Sequence, residues 1–389
     1  MDITIYPKKL NGTVTAIPSK SQAHRLLICA AFAQTPTTLI CPQTNEDIEA
    51  TVGCLNILSA NITRTESGYH VNPVQKLPKS AVMDCRESGS TLRFMLPIVG
   101  ALGVDTTFQL SGRLPARPLS PLWEEMERMG CILSRPAENT LRCTGRLVAG
   151  NYSISGSVSS QFITGLLFAL AMIPGDCLLE ITGKIESKPY IEMTKQALSA
   201  FGNRSPFQSP GTVTVEGDWS NGAFFLAAKA MGNSICVQGL AAESLQGDRV
   251  CEEILKDMKD YVSVDASQIP DLVPILAVAA GASKGGEFYN AGRLRLKESD
   301  RIESVAAMLR AFGATVTTTA DSLTVNPTQF HGCTVDAAGD HRIAMSAAIA
   351  ATVATGPVTI LGAHCVSKSY PSFWKVYQEL GGNYVEHIR

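Results

Sequence analysis

Residues 290–301 concentrate charged side chains between a strand-like run at 286–289 and an amphipathic run at 302–312 that predicts a helix. The charged residues of this stretch are Arg293, Arg295, Lys297, Glu298, Asp300 and Arg301. The unpaired N–H groups and the dipole of a helix N-terminus attract anions, and a carboxylate held among cations can act as a general acid or base. The alternative is a capped helix whose charges form ion pairs between neighbouring turns. The stretch therefore predicts either a surface helix or an acid–base site for an anionic substrate.

Cations recur at similar junctions, where a polar loop opens onto a helix. They are Lys20, Arg25, Arg93, Arg113, Arg117, Lys188, Arg293, Lys297, Arg301, Arg342 and Lys368. Each of them alone is consistent with a solvated surface charge. Arginine binds carboxylate and phosphate with a rigid fork, while lysine supplies a mobile point charge. Together they predict a cleft for substrates that carry several anionic groups.

Two more carboxylates lie at predicted helix starts: Asp271 follows Pro270, and Asp340 precedes His341. Each is explained equally by an N-terminal capping or dipole role and by acid–base chemistry, while His341 alone favours a structural role. No nucleophile elbow, phosphate-binding loop or zinc-ligand spacing is present in the sequence. If the chain is an enzyme, the sequence therefore favours acid–base and electrostatic catalysis without a cofactor or a metal.

The junctions belong to a pattern that occurs six times, at intervals of about 50 to 70 residues. The pattern is strand, polar loop, amphipathic helix, small-residue stop and strand, and its copies span 38–63, 106–133, 177–201, 234–262, 286–316 and 356–385. Six apolar runs between the copies predict buried helices, at 26–32, 92–102, 162–172, 223–231, 272–280 and 343–353. The pattern indicates an α/β (α+β) repeat array in which the N-termini of the buried helices converge within each half.

A chain of 389 residues is long enough for two domains. The third copy ends, and the fourth opens, near Glu216–Asp218. An extra N-terminal strand allows the chain to cross near Ile17 and return near Glu216. We therefore expect residues 1–17 with 217–389 in domain I and residues 18–216 in domain II, with three repeats in each and the active-site cleft between them.

Composition narrows the class of protein. Apolar residues make up 45% and charged residues 17% of the chain, which is typical of a well-packed soluble enzyme. The net charge of −2 argues against a general nucleic-acid or membrane binder. The 11 cysteines form no C-x-x-C pair and favour free thiols in a reducing cytoplasm. The first residues lack a signal-peptide core, and no apolar run is long enough to require a membrane span.

A series of motifs along nearly the whole chain resembles the 5-enolpyruvylshikimate-3-phosphate synthase family, in the family's order. The motifs are Ser19-Lys20-Ser21-x-x-x-Arg25, Gly89-Ser90-x-x-Arg93, Arg117-Pro118, Ser159-Ser160-Gln161, Ser187-Lys188-Pro189-Tyr190, Ile269-Pro270-Asp271, Lys297-Glu298-Ser299-Asp300-Arg301, Asp340-His341-Arg342 and Ser367-Lys368. Any one of them is a weak signal, and the full series is a strong one.

The resemblance implies a two-domain inside-out α/β barrel of six βαβαββ-type repeats, three per domain. It also implies transfer of the enolpyruvyl group of phosphoenolpyruvate to the 5-hydroxyl of shikimate 3-phosphate, on the route to chorismate and the aromatic amino acids. The hydroxyl adds to C2 as C3 is protonated, and the tetrahedral intermediate then loses phosphate. We expect a cytoplasmic monomer without cofactor or metal, whose partners are these two small molecules and neither nucleic acid nor membrane.

The resemblance also assigns residues at matching positions. Shikimate 3-phosphate is assigned to Lys20, Ser21, Arg25, Ser159, Ser160, Gln161, Ser187, Tyr190, Asp271 and Lys297. Phosphoenolpyruvate is assigned to Lys20, Gly89, Arg93, Arg117, Gln161, Arg301, Arg342 and Lys368. Asp271 orients or deprotonates the hydroxyl, Glu298 delivers and removes the C3 proton, and Lys20 is a further candidate for proton transfer near the leaving phosphate.

The sequence departs from the family pattern at three places. The first motif usually reads Pro-Gly-Ser-Lys-Ser, but here Ile17-Pro18 precedes Ser19 and the Gly is missing. Glu87 occupies a place that is often Asn, and Arg293 stands where many members have Asn. Glyphosate competes with phosphoenolpyruvate in the family. A carboxylate at Glu87 is expected to weaken the binding of both anions. Arg293 replaces a residue that contacts shikimate 3-phosphate in those members, so the resemblance does not assign this contact.

Two other functions remain open from the sequence. A UDP-N-acetylglucosamine enolpyruvyl transferase shares the fold and the chemistry, but it usually has a Cys in the loop before its Arg-Pro, and the loop at 111–118 has none. An inactive anion-binding repeat scaffold is the other alternative. A scaffold has no need for Asp271, Glu298 and every one of these cations together.

Overall fold

The computed structural model describes residues 1–387. Their contacts divide the chain into two compact units. One, the discontinuous unit, comprises Met1–Ile17 and Gly217–Arg389, and the other, the continuous unit, is Pro18–Glu216. Each unit has its own cluster of buried apolar side chains.

Between one and three strands separate successive helices in most of the chain that the structure describes. The strands are β1 (Asp2–Tyr6), β2 (Asn11–Thr15), β3 (Thr37–Ile40), β4 (Asn61–Arg64), β5 (Gly68–Asn72), β6 (Ser80–Asp84), β7 (Asp105–Gln109), β8 (Cys131–Ser134), β9 (Thr140–Gly145), β10 (Gly150–Ser155), β11 (Cys177–Thr182), β12 (Thr212–Thr214), β13 (Ser234–Gln238), β14 (Val262–Asp265), β15 (Gly286–Tyr289), β16 (Val316–Thr318), β17 (Leu323–Val325), β18 (Cys333–Asp336), β19 (Val358–Leu361) and β20 (Asn383–His387). The helices are α1 (Lys20–Ala31), α2 (Glu46–Ile57), α3 (Gly89–Leu102), α4 (Leu122–Arg128), α5 (Ser160–Met172), α6 (Lys188–Ala200), α7 (Trp219–Ala230), α8 (Cys251–Asp257), α9 (Val273–Gly281), α10 (Arg301–Ala311), α11 (His341–Ala351) and α12 (Phe373–Glu379). Short 3-10 turns lie at Leu114–Ala116, Gly247–Val250, Gly292–Leu296 and Ala363–Lys368.

The sheets repeat one arrangement. The continuous unit has the orders β12-β3-β5-β4, β6-β7-β9-β8 and β10-β11, and the discontinuous unit has β18-β19-β1-β20, β14-β15-β17-β16 and β13-β2. In every four-stranded sheet the first two strands run parallel and the remaining neighbours run antiparallel. The N-terminal strand joins the C-terminal ones, since Ile3 pairs with Ile360 and with Glu386. The fold is therefore mixed α/β.

The strand–helix–strand pattern is complete within one sheet for four of the copies read from the sequence. The third and fourth copies differ. Strand β11 pairs with β10 and strand β13 with β2, whereas the strands after their helices, β12 and β14, pair with β3 and β15. The strands of the third and fourth copies are therefore divided between different sheets.

The six apolar runs form buried helices: α1, α3 and α5 in the continuous unit and α7, α9 and α11 in the discontinuous unit. All nine residues of α9 and all eleven of α11 are buried. Each helix carries small and branched apolar side chains on all of its faces, so neither has a polar face for solvent. Helices α7, α9 and α11 pack against one another. This prediction from the sequence is confirmed.

Close packing of α3 on α5 depends on Gly165 and Pro97. A Cβ on Gly165 would lie 2.1 Å from the Arg93 carbonyl oxygen, so only glycine fits there. Pro97 lies within α3 and lacks the N–H that would otherwise bond to that carbonyl. This approach brings the first turns of α3 and α5 together.

Polar side chains cap most of the buried helices where the sequence placed their openings. Ser88 caps α3, Ser159 caps α5 and Asp340 caps α11, and each accepts a hydrogen bond from a backbone N–H in the first turn. Helix α7 begins at Trp219 with Asp218 as its cap, and α9 begins at Val273, two residues after Asp271. Among the described residues, no helix is both long and apolar enough to cross a membrane.

Candidate active site

In the discontinuous unit, Arg301 lies at the centre of three carboxylates. Its Nη2 donates to Glu298 Oε2 at 2.7 Å, its Nη1 to Asp271 Oδ1 at 2.7 Å and its Nε to Asp340 Oδ2 at 2.7 Å. The side chain is 1% exposed. A second Nη2 bond reaches Asp340 Oδ1 at 3.3 Å, so four of the five guanidinium N–H groups donate to carboxylates. The location of Glu298 beside Arg301 is thus fixed by an ion pair.

Asp271 is surrounded by cations. Besides Arg301, Lys297 Nζ lies 3.2 Å from its Oδ1 and Arg342 Nη2 lies 3.4 Å from its Oδ2. Burial alone would raise the pKa of Asp271, but Arg342, Lys297 and Arg301 hold that pKa well below its usual range. Asp271 therefore stays ionised and is a weak base. The capping interpretation for Asp271 is wrong, since its carboxylate bonds to side chains and α9 begins later.

Lys297 has a perturbed ammonium group. Burial lowers the pKa of Lys297 to about 8; Asp271 opposes this shift, and Arg301 and Arg293 add to it. Arg293 thus lies close enough for its charge to act on Lys297. Lys297 is the one lysine among the three cations around Asp271, and its ammonium loses its proton near pH 8.

Arg342 is 4% exposed at the start of α11. Its Nη1 donates to the Asp271 carbonyl at 3.0 Å and its Nη2 to Ser220 Oγ at 2.9 Å. These bonds bring together the N-terminal turns of α7 and α11 and the segment before α9, as the sequence predicted for the buried helices. His341 is buried beside Asp340, with 3.9 Å between Nδ1 and Oδ1. Lys368, at the end of a 3-10 turn, is 6% exposed.

In the continuous unit, Gly89, Arg93 and Arg117 converge at the N-terminus of α3. A Cβ on Gly89 would lie 2.6 Å from Arg93 Nη1 and 2.8 Å from Arg117 Nη1. Arg93 Nη1 donates to Gln161 Oε1 at 3.0 Å, and Gln161 Nε2 donates to Ser90 Oγ at 3.0 Å. Two guanidinium groups at a helix N-terminus form a suitable site for an anion.

Lys20 is held by a partner that sequence reasoning missed. Its Nζ lies 2.7 Å from Asp47 Oδ2, and Asp47 is buried in the first turn of α2. Nothing in the spacing of the two residues marks this pair, because Asp47 reads as an ordinary acidic residue near a helix start. The pair fixes the ammonium group of Lys20 at the beginning of α1.

Arg25 is buried in a cage of hydrogen-bond acceptors. Its Nε donates to Thr194 Oγ1 at 2.9 Å, its Nη2 to Thr164 Oγ1 at 3.3 Å and to the Tyr190 carbonyl at 2.8 Å, and its Nη1 to the Ser21 carbonyl. These bonds occupy four of its five N–H groups, which leaves one on Nη1 for a ligand. In this arrangement Arg25 can offer a single hydrogen bond and cannot bind a carboxylate as a fork.

The remaining predicted ligands of the continuous unit lie at the starts of α5 and α6. Ser159 caps α5 and Ser160 is buried beside it, while Ser187 precedes α6 with a positive φ of 53°. Tyr190 contributes its backbone carbonyl to Arg25, and its ring is half-buried. Arg113 and Lys188 are exposed. The structure thus forms one set from Asp271, Lys297, Glu298, Arg301 and Arg342 in the discontinuous unit and another from Gly89, Arg93, Arg117 and Gln161 in the continuous unit.

Each set suits anionic ligands, and the candidate acid–base carboxylates Asp271 and Glu298 lie in the set of the discontinuous unit. Across residues 1–387, no group of three or more His, Cys, Asp and Glu side chains is arranged to hold a metal ion. All eleven cysteines are free thiols.

Comparison with known proteins extends over nearly the whole chain. Residues 5–267 and 259–377 match the family model of EPSP synthase (3-phosphoshikimate 1-carboxyvinyltransferase). The 3-phosphoshikimate 1-carboxyvinyltransferase of Clostridium kluyveri is 38% identical over 414 residues, covering 98% of this chain and 97% of that protein. The protein of the same description from Clostridium acetobutylicum is 38% identical over 417 residues, with coverages of 98% and 97%.

Solved structures show the same fold. EPSP synthase from Acinetobacter baumannii has a TM-score of 0.79 at 21% identity and covers 100% of both chains. The enolpyruvyl transferase NikO from Streptomyces tendae has a TM-score of 0.77 at 16% identity, covering 99% of this chain and 98% of its own.

Proposed function

Because this chain belongs to the EPSP synthase (3-phosphoshikimate 1-carboxyvinyltransferase) family, we propose that Asp271, Glu298 and the surrounding cations carry the family's reaction in it. The chain transfers the enolpyruvyl group of phosphoenolpyruvate to the 5-hydroxyl of shikimate 3-phosphate and releases phosphate. The reaction is part of aromatic amino acid biosynthesis. The observation that carries the residue assignment is the Arg301 cluster, which places two candidate acid–base carboxylates on one guanidinium.

The two carboxylates have different tasks. Asp271 is held ionised by three cations, so it is suited to accept a hydrogen bond from the 5-hydroxyl and to direct its lone pair at C2. As the bond from this oxygen to C2 forms, Asp271 takes up the hydroxyl proton. Glu298 delivers a proton to C3 as the hydroxyl adds to C2. In the second step Glu298 removes a proton from the methyl group of the tetrahedral intermediate, and the C–O bond to phosphate breaks. Lys20, beside Asp47, supplies positive charge or a proton to the departing phosphate.

Shikimate 3-phosphate is assigned to hydroxyl, amide and cationic groups. The residues are Lys20, Ser21, Arg25, Ser159, Ser160, Gln161, Ser187, Tyr190, Asp271 and Lys297. Arg25 contributes one hydrogen bond and mainly shapes the pocket, since its other N–H groups hold Thr194, Thr164 and two carbonyls. Arg293 adds positive charge near Lys297 where many members of the family have Asn.

Phosphoenolpyruvate is assigned to Lys20, Gly89, Arg93, Arg117, Gln161, Arg301, Arg342 and Lys368. Gly89 leaves space for the anion between two guanidinium groups, where a side chain would collide with both. Glu87 packs against Gly112 in the neighbouring loop, since a Cβ on Gly112 would overlap the Glu87 carboxylate. Its negative charge is therefore expected to weaken, without abolishing, the binding of anions at the N-terminus of α3.

The proposed architecture is the inside-out α/β barrel of six repeats, three in each of two domains. The shared order of the four-stranded sheets supports it, as does the division of contacts between residues 17 and 18 and between 216 and 217. We further propose a cytoplasmic monomer; the free thiols are consistent with a reducing compartment.

The test is phosphate release from phosphoenolpyruvate with shikimate 3-phosphate or UDP-N-acetylglucosamine as acceptor. We expect release with shikimate 3-phosphate alone. Release with the nucleotide sugar would instead assign the chain to the sister activity, which the names of its relatives do not favour. Absence of release with both acceptors would support the inactive scaffold.

A further inference from the structure

A serine and a buried aspartate lie behind the guanidinium of Arg342. Arg342 Nη2 donates to Ser220 Oγ at 2.9 Å, and the Ser220 hydroxyl makes a short hydrogen bond to Asp248 Oδ2. Asp248 is 1% exposed, in the 3-10 turn Gly247–Val250 that packs on α7 and α8. The motif series that resembles the family includes neither Ser220 nor Asp248.

The direction of these hydrogen bonds follows from the number of protons. Arginine has no acceptor, so Ser220 Oγ must receive the Arg342 N–H. A hydroxyl has one proton, and here it is directed to Asp248. The Asp248 carboxylate, when ionised, accepts the hydrogen bond from this hydroxyl and thereby keeps a serine lone pair turned towards Arg342.

A second contact fixes the other side of the same guanidinium. Arg342 Nη1 donates to the Asp271 carbonyl at 3.0 Å. Ser220 and this carbonyl therefore set the plane in which Arg342 presents its remaining N–H groups. A planar fork binds a carboxylate or phosphate well only when its orientation is fixed beforehand.

We propose that Ser220 and Asp248 are positioning residues that hold the Arg342 guanidinium in the orientation that binds the anionic group of phosphoenolpyruvate. The inference rests on the proposed function, because it takes Arg342 as a ligand of that substrate. Asp248 acts only through Ser220 and contacts no substrate.

The charge state of Asp248 makes the arrangement sensitive to pH. Burial raises the pKa of Asp248 to about 6; Asp271 adds to the shift, Arg342 opposes it, and Asp218 adds a smaller increase. The thiol of Cys251, at the start of α8, also lies near the carboxylate. Above pH 6 Asp248 is ionised and holds the Ser220 hydroxyl proton on its own side. Below pH 6 Asp248 becomes protonated and can donate to Ser220 Oγ, so the Ser220 hydroxyl can turn its proton towards Arg342.

The experiment measures steady-state kinetics of Ser220→Ala, Ser220→Thr and Asp248→Asn, with thermal unfolding as a check of folding. We expect Ser220→Ala and Asp248→Asn to raise the KM for phosphoenolpyruvate about tenfold, the cost of one hydrogen bond to a charged group. Neither kcat nor the KM for shikimate 3-phosphate should change more than about twofold. The lost interaction stabilises bound phosphoenolpyruvate equally in the ground state and in the transition state, so its loss raises only the KM for that substrate. Ser220→Thr, which keeps the hydroxyl, should restore the KM.

The matched control is Ser346→Ala, one turn beyond Arg342 in α11, where the buried hydroxyl makes no hydrogen bond. It should behave as the wild type. The pH profile supplies a readout that a purely structural role would not change. The kcat/KM for phosphoenolpyruvate of the wild type, divided by that of Asp248→Asn, should be constant above pH 7 and fall towards one below pH 6. The titration of the substrate's own phosphate affects both enzymes equally and cancels in this ratio.

Folded variants with a wild-type KM for phosphoenolpyruvate would overturn the inference, as would an equal loss for both substrates with an unchanged pH profile. If Asp248→Asn does not fold, Ser220→Ala and Ser220→Thr decide alone. Failure of the proposed function is a separate result, since the wild-type enzyme would then show no turnover with shikimate 3-phosphate.

Discussion

Arg301 donates to Glu298 across a distance of 2.7 Å, from Nη2 to Oε2, within the junction where α10 begins. Four of the five Arg301 N–H groups donate to carboxylates in this arrangement. One N–H group remains on Nη1, so a phosphoenolpyruvate carboxylate that binds Arg301 with two hydrogen bonds must compete with a carboxylate such as Glu298. Binding of that substrate is expected to release Glu298 for proton transfer at C3.

Replacing Glu298 by Gln tests this competition. Turnover should fall by about 100-fold to 10,000-fold, the range for loss of a general acid–base group. Phosphoenolpyruvate should bind several-fold more tightly in the presence of shikimate 3-phosphate, because a neutral amide competes less well for Arg301. Calorimetric titration measures the affinity, and Glu303→Gln, on the outer side of α10 beside Arg295, is the control. Weaker binding to Glu298→Gln would contradict the competition.

Gly89→Ala should weaken phosphoenolpyruvate binding specifically. The added Cβ lies 2.6 Å from Arg93 Nη1 and 2.8 Å from Arg117 Nη1, so both guanidinium groups must move. We expect the KM for phosphoenolpyruvate to rise at least about tenfold, as the loss of one charge-assisted hydrogen bond implies, with little change in the KM for shikimate 3-phosphate. Steady-state kinetics with each substrate varied in turn gives the two constants.

Gly53→Ala is the matched control for that substitution. Gly53 lies in α2 and its Cβ would meet nothing within 4 Å. The change should leave both KM values unaltered and raise the free energy of unfolding by about 0.5–1 kcal/mol, because alanine favours the helix. Equal effects of the two substitutions on the KM for phosphoenolpyruvate would argue against the proposed anion site at Gly89.

Affinity for shikimate 3-phosphate should decline above pH 8. The pKa of Lys297 is lowered to about 8, chiefly by burial, so the ammonium is charged below that pH and neutral above it. An anionic ligand favours the charged form, and binding at higher pH must take up a proton. The dissociation constant should therefore rise by up to about tenfold per pH unit, the limit for one proton.

Lys297→Arg provides the comparison, because arginine stays charged throughout this range. Titrations at pH 7 to 10 should give a flat profile for this variant even if its affinity is lower overall. A wild-type profile that is equally flat would mean that Lys297 does not bind the ligand as an ammonium ion.

Arg25→Lys should lower stability as well as binding. Arg25 satisfies the Thr194 and Thr164 hydroxyls and the Tyr190 carbonyl in a buried position, and lysine cannot reach all of them. We expect the free energy of unfolding to fall by about 2–3 kcal/mol, since buried polar groups lose their partners. Denaturant unfolding measures it, and Arg142→Lys, whose side chain is 49% exposed, should change stability by less than about 1 kcal/mol.

Local signals explain what the sequence predicted well. Ser88, Ser159 and Asp340 act on backbone N–H groups within their own first turn, and such caps can be read from a few consecutive residues. Apolar residues all round α9 and α11 likewise identify buried helices. The strands, helices and site motifs followed from patterns of this kind.

Contacts between distant residues explain what it missed. Asp271 meets Arg301 and Arg342, which lie 30 and 71 residues later, and nothing near Asp271 distinguishes that arrangement from a helix cap. The partners Asp47 and Asp248 carry no pattern of their own. Their importance depends on packing between elements, which the sequence of a single chain does not display.

Incorporation of solvent deuterium is the most direct test of addition and elimination through Glu298. The enzyme is run in heavy water with both substrates, and the methylene group of the enolpyruvyl product is analysed by mass spectrometry. Addition of a deuteron at C3 makes a methyl group, and loss of one hydrogen returns a partly deuterated methylene. We expect deuterium in the product of the wild-type enzyme and almost none formed by Glu298→Gln over the same time. Product without deuterium, or equal incorporation by the variant, would contradict the mechanism.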